Sequence, residues 1–424
     1  MTLSQTANAS PRHRPNDADV PDMDVIVVGG GLVGGSLCLG LARHGVRTLV
    51  IDRQPPRAGT SPTFDGRASA ISASGQKLLD AVGLWPHVTG RSQPILDIRV
   101  SDGASLLFLH YDHRDLGAGP LGYMVENRHL REGIAAEFEK HNTCLTVVAP
   151  ATVTGFQQSA DGATVILADG RTFTAPLVIS AEGRASILRE AANIAVTGWN
   201  YPQTAIVATI AHEHSHDGIA HERFLTPGPF AILPLAGGHQ SSLVWTEAEE
   251  RAATYLSLSD AEFLAEIDER VGGFLGTLSL VGPRFSYPLG LQFASTYVNG
   301  RLALIGDTAH AIHPIAGQGL NLGLRDVAAL VEIVVEAKGL GLDLAHPAGL
   351  DRYERWRRAD NLLMAGVTDV LNRLFSNNIT PIRIARDLGL GLVNRIPPLK
   401  RFFMRHAMGT VGDLPKLMRG EALR

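Results

Sequence analysis

The chain has 424 residues, of which 45% are hydrophobic and 45 are glycine, so two or more packed domains with a sizeable core are predicted. The formal net charge of −4 provides no basic field that would favour nucleic acid as a partner. Cys38 and Cys144 are too few for a disulfide framework and form no CxxC motif, so we expect no metal site and a reducing, cytoplasmic setting.

Residues 1–22 are polar and rich in Pro, Asn and Ser. They contain no apolar run of the kind found in a secretory signal, and we expect a disordered leader. A transit peptide is the alternative, because Arg12 and Arg14 precede the first acid, Asp17. No apolar run reaches the length of about 18 residues that a membrane-spanning helix needs.

A nucleotide-binding unit is predicted directly after this leader. Asp24–Val28 has the composition of a buried parallel strand, and the glycine-rich turn Gly29–Gly34 leads into a helix that ends near His44. A second strand, Arg47–Ile51, follows and ends at Asp52. This arrangement is a βαβ unit with GxGxxG in its first turn and an acid after its second strand, which is typical of dinucleotide binding.

Each position of this motif has an expected role. Gly29 makes the tight turn, Gly31 lets the backbone approach a pyrophosphate, and Gly34 lets helix and strand pack closely. Asp52 is placed to bind a ribose hydroxyl.

Short strands and turns dominate the middle of the chain, around a helix predicted over Asp260–Val271. We therefore predict an α/β fold in which a Rossmann-like nucleotide-binding domain is interrupted by a β-sheet substrate domain and followed by C-terminal helices. The expected limits are 23–93, 120–198 and 288–350 for the nucleotide-binding domain, 94–119 and 199–287 for the substrate domain, and 351–424 for the helical segment.

A second ligand-binding element is predicted where the strand Leu302–Ile305 runs into Gly306 and Asp307. The loop that follows contains Pro314, and beyond it apolar residues recur at helical spacing from Leu320 onward. The start of a helix offers unpaired N–H groups and the positive end of its dipole, so this loop can hold negative charge.

Three of these segments together resemble the fingerprints of the class A flavoprotein aromatic hydroxylases: GxGxxG at 29–34, Ala-Glu-Gly-Arg-Ala-Ser at 181–186, and Gly306-Asp307. Within this family the chain is most similar to the ubiquinone-biosynthesis hydroxylases that act on 2-polyprenylphenols, over about residues 23–410. The narrower resemblance rests on four segments: Asp65–Ser72, Val125–Arg128, His313–Leu324 and Asp369–Phe375.

The resemblance implies that FAD is the cofactor. Gly29, Gly31 and Gly34 would face its pyrophosphate, Asp52 its adenosine ribose, and Asp307 its ribityl hydroxyls. The resemblance places the following additional residues near FAD: Arg67 and Arg128 at the phosphates or the ribityl chain, Gly317, Gln318, Gly319, Leu320 and Asn321 at the pyrimidine edge of the isoalloxazine, and Pro314 near its reactive face.

Two points qualify this assignment. Arg67 and Arg128 could instead form surface ion pairs. Glu182 stands where the family normally has Asp, which keeps the carboxylate but makes the side chain one methylene longer.

The resemblance further implies an FAD-dependent monooxygenase that uses NAD(P)H as a transient reductant and O₂ to hydroxylate a polyprenylated phenol. The flavin carries this chemistry, so we name no side chain as a catalytic acid or base. The alternatives are a hydroxylase of a small soluble phenol, an NAD-dependent dehydrogenase, and a non-catalytic FAD-binding member of a biosynthetic assembly.

Two further sets of residues were weighed for other roles. Phe224, Phe230, Leu233 and Trp245 are either an apolar wall for the substrate or ordinary core. His212, His214 and His216 would share one face of a strand and could ligate a metal, but neither CxxC nor HExxH accompanies them, so a solvated or interdomain loop is expected.

The C-terminal segment from Arg352 onward carries 14 basic and 6 acidic residues. It contains two amphipathic stripes, made by Val367, Val370, Leu371, Leu374 and Phe375 and by Leu399, Phe402, Phe403 and Ala407. Basic amphipathic helices can lie on anionic lipid, which suggests a peripheral contact with the inner membrane. The alternative is that the stripes pack on the FAD domain or on another subunit, such as a member of a ubiquinone-biosynthesis complex.

Overall fold

The computed structural model describes residues 23–60, 67–103, 108–117, 119–312, 317–375, 389 and 392–423. Its strands are β1 (Val25–Val28), β2 (Thr48–Ile51), β3 (Ala68–Ser72), β4 (Ser92–Ile95), β5 (Asp97–Asp102), β6 (Phe108–Asp112), β7 (Gly122–Glu126), β8 (Leu145–Val148), β9 (Val153–Gln158), β10 (Ala163–Leu167), β11 (Thr172–Ala175), β12 (Leu177–Ser180), β13 (Val196–His212), β14 (Ile219–Phe224), β15 (Pro229–Pro234), β16 (Gln240–Ala248), β17 (Leu278–Ala294), β18 (Val298–Asn299), β19 (Leu302–Leu304) and β20 (His310–Ala311). Its helices are α1 (Leu32–Arg43), α2 (Ala73–Ala81), α3 (Trp85–Val88), α4 (Asn127–Lys140), α5 (Ile187–Ala191), α6 (Glu249–Ser257), α7 (Asp260–Val271), α8 (Gln318–Gly339), α9 (Pro347–Phe375), α10 (Pro397–Ala407) and α11 (Lys416–Arg419). The expected leader, residues 1–22, lies outside the described residues.

A six-stranded sheet forms the nucleotide-binding part, with the strand order β18-β19-β12-β1-β2-β8. All of its neighbouring strands are parallel except β18 and β19. The strands β1, β2 and β12 are buried along their whole length, as expected for a parallel sheet covered on both faces. The first two strands and α1 form the predicted βαβ unit.

The helices α1 and α8 pack closely against each other beside this sheet. A Cβ atom added to Gly40 of α1 would lie 2.8 Å from the Cγ2 atom of Val331 in α8. Glycine at position 40 therefore lets the two helices approach, and this contact holds the first turn of α8 near the GxGxxG turn.

An eight-stranded sheet forms the second large layer, in the order β20-β17-β13-β16-β15-β14-β5-β6. Its long strands β13 and β17 run through the predicted domain limits near residues 198 and 288 without a break. Strand β20, which follows Gly306 and Asp307, pairs with the end of β17. Through β20 the eight-stranded sheet is thus continuous with the second ligand-binding element. The division of the chain into domains stays a prediction.

One face of the eight-stranded sheet packs against α6 and α7. Phe230 and Trp245 from the sheet lie in one buried cluster with Phe263 and Ile267 from α7. The predicted helix Asp260–Val271 has the bounds of α7, because Ser259 and Glu262 form a capping box at its start and Gly272 ends it. The opposite face of the sheet is left for the cavity described below.

Two small antiparallel sheets complete the described structure: β11-β10-β9 and β3-β7-β4. None of the helices in the described part of the chain combines the length and the apolar character that crossing a bilayer requires.

Candidate functional site

A cavity of about 1440 Å³ brings the two predicted ligand-binding elements together. It is lined by the turns after β1 and β2, by the segment around Asp307, by the first turn of α8 and by strands of the eight-stranded sheet. Of the predicted cofactor-binding residues, the following line it: Gly29, Gly31, Gly34, Asp52, Arg67, Glu182, Asp307, Gly317, Gln318, Gly319, Leu320 and Asn321. The roles of these residues toward FAD stay predictions.

The three glycines of the GxGxxG motif have different surroundings. A Cβ atom on Gly29 would overlap the carbonyl oxygen of Ala181, and one on Gly34 would overlap the carbonyl oxygen of Gly29. A Cβ atom on Gly31 would meet no atom within 4 Å. Gly29 and Gly34 are therefore required by the packing of the protein itself, whereas Gly31 keeps open a part of the cavity that a ligand can fill.

Asp52, at the end of β2, has its carboxylate fixed by the backbone. Its Oδ2 atom accepts a hydrogen bond from the N–H group of Gly30 at 2.5 Å, and its Oδ1 atom accepts one from Gln54 at 2.7 Å. Each carboxylate oxygen can accept a further hydrogen bond. A ribose hydroxyl entering the cavity would therefore find an acceptor that is already oriented.

Asp307 lies in a short 3₁₀ turn between β19 and β20. Its side chain is exposed and lines the cavity, whereas the residues on both sides of it are buried. Gly306 has a φ of +58°, a left-handed conformation that favours glycine. The turn thus presents a single carboxylate to the cavity.

The first turn of α8 presents backbone donors to the cavity. Gly317 precedes the helix with a φ of 63°, and Gln318 to Asn321 form its first turn, whose N–H groups have no partner within the helix. A Cβ atom on Gly319 would meet no atom within 4 Å. This turn can accept an anionic or carbonyl-rich ligand edge. Pro314 and His313 lie outside the described residues.

Asn321 contributes to this site in a way that the sequence did not indicate. Its side-chain Oδ1 atom accepts a hydrogen bond from the N–H group of Ser72 at 2.9 Å, and its Nδ2 atom donates one to the carbonyl oxygen of Ala70 at 2.8 Å. The side chain therefore ties α8 to β3, and only its backbone N–H remains for a ligand.

The predicted arginines are placed differently from each other. Arg67 lines the cavity, whereas Arg128 is not among the lining residues and forms an ion pair with Glu126 at 2.8 Å. Arg131, which was not predicted, lines the cavity together with Asn127. These two residues are one helical turn apart on α4, so the helical period of this segment was the signal that could have identified Arg131.

Glu182 uses its longer side chain to cap α5. Its Oε2 atom accepts hydrogen bonds from the hydroxyl groups of Ser180 at 2.8 Å and Ser186 at 2.5 Å, and from the N–H group of Leu188 at 3.2 Å. A carboxylate at a helix start also interacts favourably with the helix dipole. Although Glu182 borders the cavity, its Oε2 atom is directed to the protein's own donors.

The His-rich segment was expected in a solvated or interdomain loop, and the solvated alternative is wrong for two of its histidines. His212 and His216 are buried and hydrogen-bonded: His212 to the hydroxyl of Ser241 at 3.0 Å, and His216 to the carbonyl oxygen of Leu235 at 2.7 Å. Burial lowers the pKa of both imidazoles from the ordinary value. Strand β13 ends at His212, so the three residues do not share one strand face.

Most of the residues that were considered for an apolar substrate wall do not line the cavity. Phe230 and Trp245 face α7, and Phe224 packs in a small cluster with Leu109, so among the four only Leu233 lines the cavity. The sheet residues that line the cavity are the following: Ile98, Ala220, Glu222, Pro229, Ala231, Leu233, Val244 and Thr246. His221 also borders it, and burial lowers the pKa of its imidazole to about 4.

The open space at Gly31 and Gly319, the carboxylates of Asp52 and Asp307 and the N-terminal turn of α8 together fit a dinucleotide such as FAD. Comparison with known proteins gives the same answer. The FAD binding domain family matches residues 22–364, which is more than half of the chain.

Relatives of known function cover nearly the whole chain. The ubiquinone hydroxylase UbiL of Rhodospirillum rubrum is 53% identical over 403 residues, covering 94% of this chain and 93% of that protein. The 3-demethoxyubiquinol 3-hydroxylase of Escherichia coli is 36% identical and covers 91% of this chain and 98% of its own length. The mouse ubiquinone biosynthesis monooxygenase COQ6 is 33% identical, covering 94% and 93% of the two chains.

Solved structures support the same fold. The p-nitrophenol 4-monooxygenase PnpA of Pseudomonas putida superimposes with a TM-score of 0.76 at 21% identity, over 91% of this chain and 98% of its own. PqsL of Pseudomonas aeruginosa superimposes with a TM-score of 0.73 at 22% identity, over 87% and 100%. The predicted α/β fold and FAD as the cofactor are thus confirmed. The chain belongs to the FAD-dependent aromatic hydroxylases, in the group that includes the hydroxylases of ubiquinone biosynthesis.

Proposed function

We propose that this protein is a monooxygenase that hydroxylates the aromatic ring of a polyprenylated phenol in ubiquinone biosynthesis, with NAD(P)H and O₂ as co-substrates. The observation that carries this proposal is the continuous cavity of about 1440 Å³, which joins the FAD-binding motifs to an apolar sheet wall. A site of this volume has room for both a cofactor ring and a substrate ring.

In this proposal the cofactor carries out the redox chemistry, and the protein binds and orients the cofactor. Bound FAD, reduced by NAD(P)H, supplies the activation of O₂ and the transfer of one oxygen atom to the ring. Gly31 and Asp52 hold the adenosine and pyrophosphate part, Asp307 holds the ribityl chain, and the first turn of α8 holds the isoalloxazine edge. These roles are proposals that rest on where the residues lie in the cavity.

The apolar wall is suited to a prenylated ring. Ile98, Leu121, Leu233 and Val244 line the cavity and remove water from the substrate ring, which protects the oxygenating species from side reactions. His221 borders the same space and, with a pKa of about 4, stays neutral at pH 7. The apolar residues of this wall favour an apolar ring over a charged one.

The C-terminal helix α10 contacts the cavity at one end and is exposed on its outer side. Ala407, its last residue, lines the cavity, and Met404 is buried against Leu121. On the outer side of the same helix Phe402 and Phe403 remain 51% and 41% exposed. We propose that these phenylalanines rest on the membrane that holds the polyprenyl tail, so that the head group can reach the ring-binding wall.

The proposal is tested on the purified full-length holoprotein. NAD(P)H oxidation is followed with and without 2-prenylphenol, a short-chain analogue, and the product is analysed by mass spectrometry after reaction under ¹⁸O₂. We expect oxidation to accelerate with the phenol and one labelled oxygen atom to enter the ring. Oxidation that never responds to the phenol would leave a non-catalytic FAD-binding role, and a response to p-nitrophenol but not to 2-prenylphenol would favour a small soluble substrate.

A further inference from the structure

The wall of the cavity contains a hydroxyl group that the protein leaves without a partner. Thr246, on β16, is 1% exposed, and its Oγ1 atom has no hydrogen-bond partner among the described residues. Buried hydroxyl groups are nearly always paired in folded proteins, because an unpaired one loses its hydrogen bonds to water. An unpaired hydroxyl at a cavity wall therefore points to a ligand that completes it.

A second buried threonine allows a cavity-lining hydroxyl to be compared with one away from the cavity. Thr209, on β13 of the same sheet, also has an unpartnered hydroxyl, but it does not line the cavity. Of these two residues, only Thr246 lines the cavity. Thr209 is thus the natural control for Thr246.

Strand geometry places Thr246 on the cavity side of the sheet. Side chains alternate along a strand, so Val244 and Thr246 share one face while Trp245 packs into the core under α7. Thr246 also borders a smaller cleft of about 360 Å³, but Val244, on the same strand face, lines only the large cavity of the two. The face that carries Thr246 is therefore the substrate-facing one.

The same face reaches the predicted flavin loop. Thr246 lies opposite Ala205 of β13, and Ala205 belongs to a buried cluster with Ile312 and Leu322. Ile312 directly follows β20, and Leu322 follows the first turn of α8. A substrate atom bound at Thr246 is thus held next to the elements that bind the cofactor.

Three neighbouring wall residues, Ala231, Leu233 and Val244, are apolar and cannot supply an equivalent hydrogen bond. The Cγ2 methyl of Thr246 packs against Gly228, where an added Cβ atom would lie 2.5 Å from it. Two polar residues, His221 and Glu222, also border the cavity, and Glu222 already interacts within the protein.

We infer that the hydroxyl group of Thr246 hydrogen-bonds to the phenolic oxygen of the substrate and orients the ring on the wall. This inference rests on the proposed function. Thr246 would act as a specificity and positioning residue: it separates a phenol from the same molecule without the ring oxygen, and it takes no part in activating O₂.

The test compares two ligands and three variants in the full-length holoprotein. The ligands are 2-prenylphenol and prenylbenzene, which lacks the ring hydroxyl, and binding is read from the change in the flavin absorbance spectrum. The wild-type protein should bind the phenol about tenfold more tightly than prenylbenzene, and Thr246→Val should remove most of that difference. Thr246→Ser should restore it, and Thr209→Val should behave as the wild type.

Turnover gives an independent readout. In Thr246→Val we expect a larger fraction of the NAD(P)H to be oxidised without ring hydroxylation, because a mobile ring is not held at the reacting position. FAD content and melting temperature should match those of Thr209→Val, which separates positioning from a loss of structure.

Each outcome decides the inference. Equal discrimination between the two ligands in Thr246→Val and Thr209→Val overturns it, as does a loss of discrimination in Glu222→Gln with none in Thr246→Val. If the wild type turns over the phenol in these cases, the proposed function still stands. A wild type that neither binds nor responds to the phenol overturns both.

Discussion

The carboxylate of Asp326 and the Nε2 atom of His310 lie 2.5 Å apart, and both side chains are completely buried. The same carboxylate accepts hydrogen bonds from the N–H group of Gly306 at 3.0 Å and from the Nε atom of Arg357 at 2.8 Å. Asp326 therefore connects the turn that carries Asp307 to α8 and α9. This geometry gives His310 a structural role in the same network.

Removal of the Asp326 charge should strongly destabilise the protein. Arg357 is fully buried, and its Nε atom is paired with the carboxylate of Asp326. Asp326→Asn removes the charge of that partner, which costs about 3–5 kcal/mol. Denaturant unfolding of the holoprotein measures this loss. Asp343→Asn is the matched control, because its partner Arg301 forms a surface pair that is worth about 1 kcal/mol or less. Equal losses in the two variants would contradict the prediction.

The same carboxyl makes stability depend on pH in the acid range. Burial would raise the pKa of Asp326, but the charges of His310 and Arg357 outweigh it and lower the pKa to about 2. Because the folded-state pKa lies below the unfolded value of about 3.9, this group stabilises the fold above pH 4 or so, and the contribution is lost as pH falls towards about 2. The difference in unfolding free energy between wild type and Asp326→Asn should shrink over that range; a constant difference would contradict the assignment.

Gly31 and Gly34 should separate cofactor binding from folding. Gly31→Val places its side chain in open cavity space, so the protein should fold with a melting temperature near the wild-type value but lose most of its FAD. Gly34→Ala should instead lower the melting temperature, because its Cβ atom overlaps the carbonyl oxygen of Gly29. Flavin content per folded protein, measured beside thermal unfolding, checks both. Full flavin occupancy in Gly31→Val would show that the motif is only structural.

Asp307→Ala should weaken FAD retention without affecting the fold. The Asp307 carboxylate is exposed and lines the cavity. Without it the ribityl hydroxyls lack a charged hydrogen-bond acceptor, and the binding free energy of FAD should weaken by about 1–3 kcal/mol. The dissociation constant of FAD, measured by reconstitution of the apoprotein, should rise accordingly. Asp343→Ala serves as the control, and an unchanged dissociation constant in a folded Asp307→Ala protein would refute the role.

The exposed phenylalanines of α10 should contribute to membrane binding. Arg401 and Arg405 are exposed on the same helix, and each basic residue near an anionic surface contributes about 1 kcal/mol. The wild-type protein should float with vesicles that contain anionic phospholipid and be released by salt, whereas Phe402→Ala/Phe403→Ala should float less. Leu340→Ala removes an equally exposed apolar side chain elsewhere and should have no effect.

Point variants are required for this test because truncation before α9 would remove core residues. Tyr353 and Arg357 of α9 are fully buried. Identical flotation of the double variant and the wild type would assign the two phenylalanines to a contact other than lipid. In the predicted stripe on α9, Val370 and Leu374 are exposed, whereas the side chains of Val367, Leu371 and Phe375 lie outside the described residues.

The amino-acid sequence by itself determined the features that depend on neighbouring residues along the chain. The GxGxxG turn between two apolar strands, the Gly306-Asp307 turn and the start of α8 beyond Gly317 each follow from local spacing and from backbone conformations that favour glycine. The family and the cofactor were predicted from these segments, because each motif includes both the ligand-binding residues and the strand or helix that holds them.

Only the tertiary structure decided how side chains from distant segments are used. Leu243, Val244 and Trp245 are consecutive apolar residues of β16, so alternation could not tell that Trp245 packs under α7 while Val244 and Thr246 line the cavity. The side chains of Asn321 and Glu182 were expected at the cofactor but bind β3 and the start of α5. Such pairings depend on contacts between residues far apart in the sequence, and hydrogen-bonding groups that become buried take whichever partner the fold places beside them.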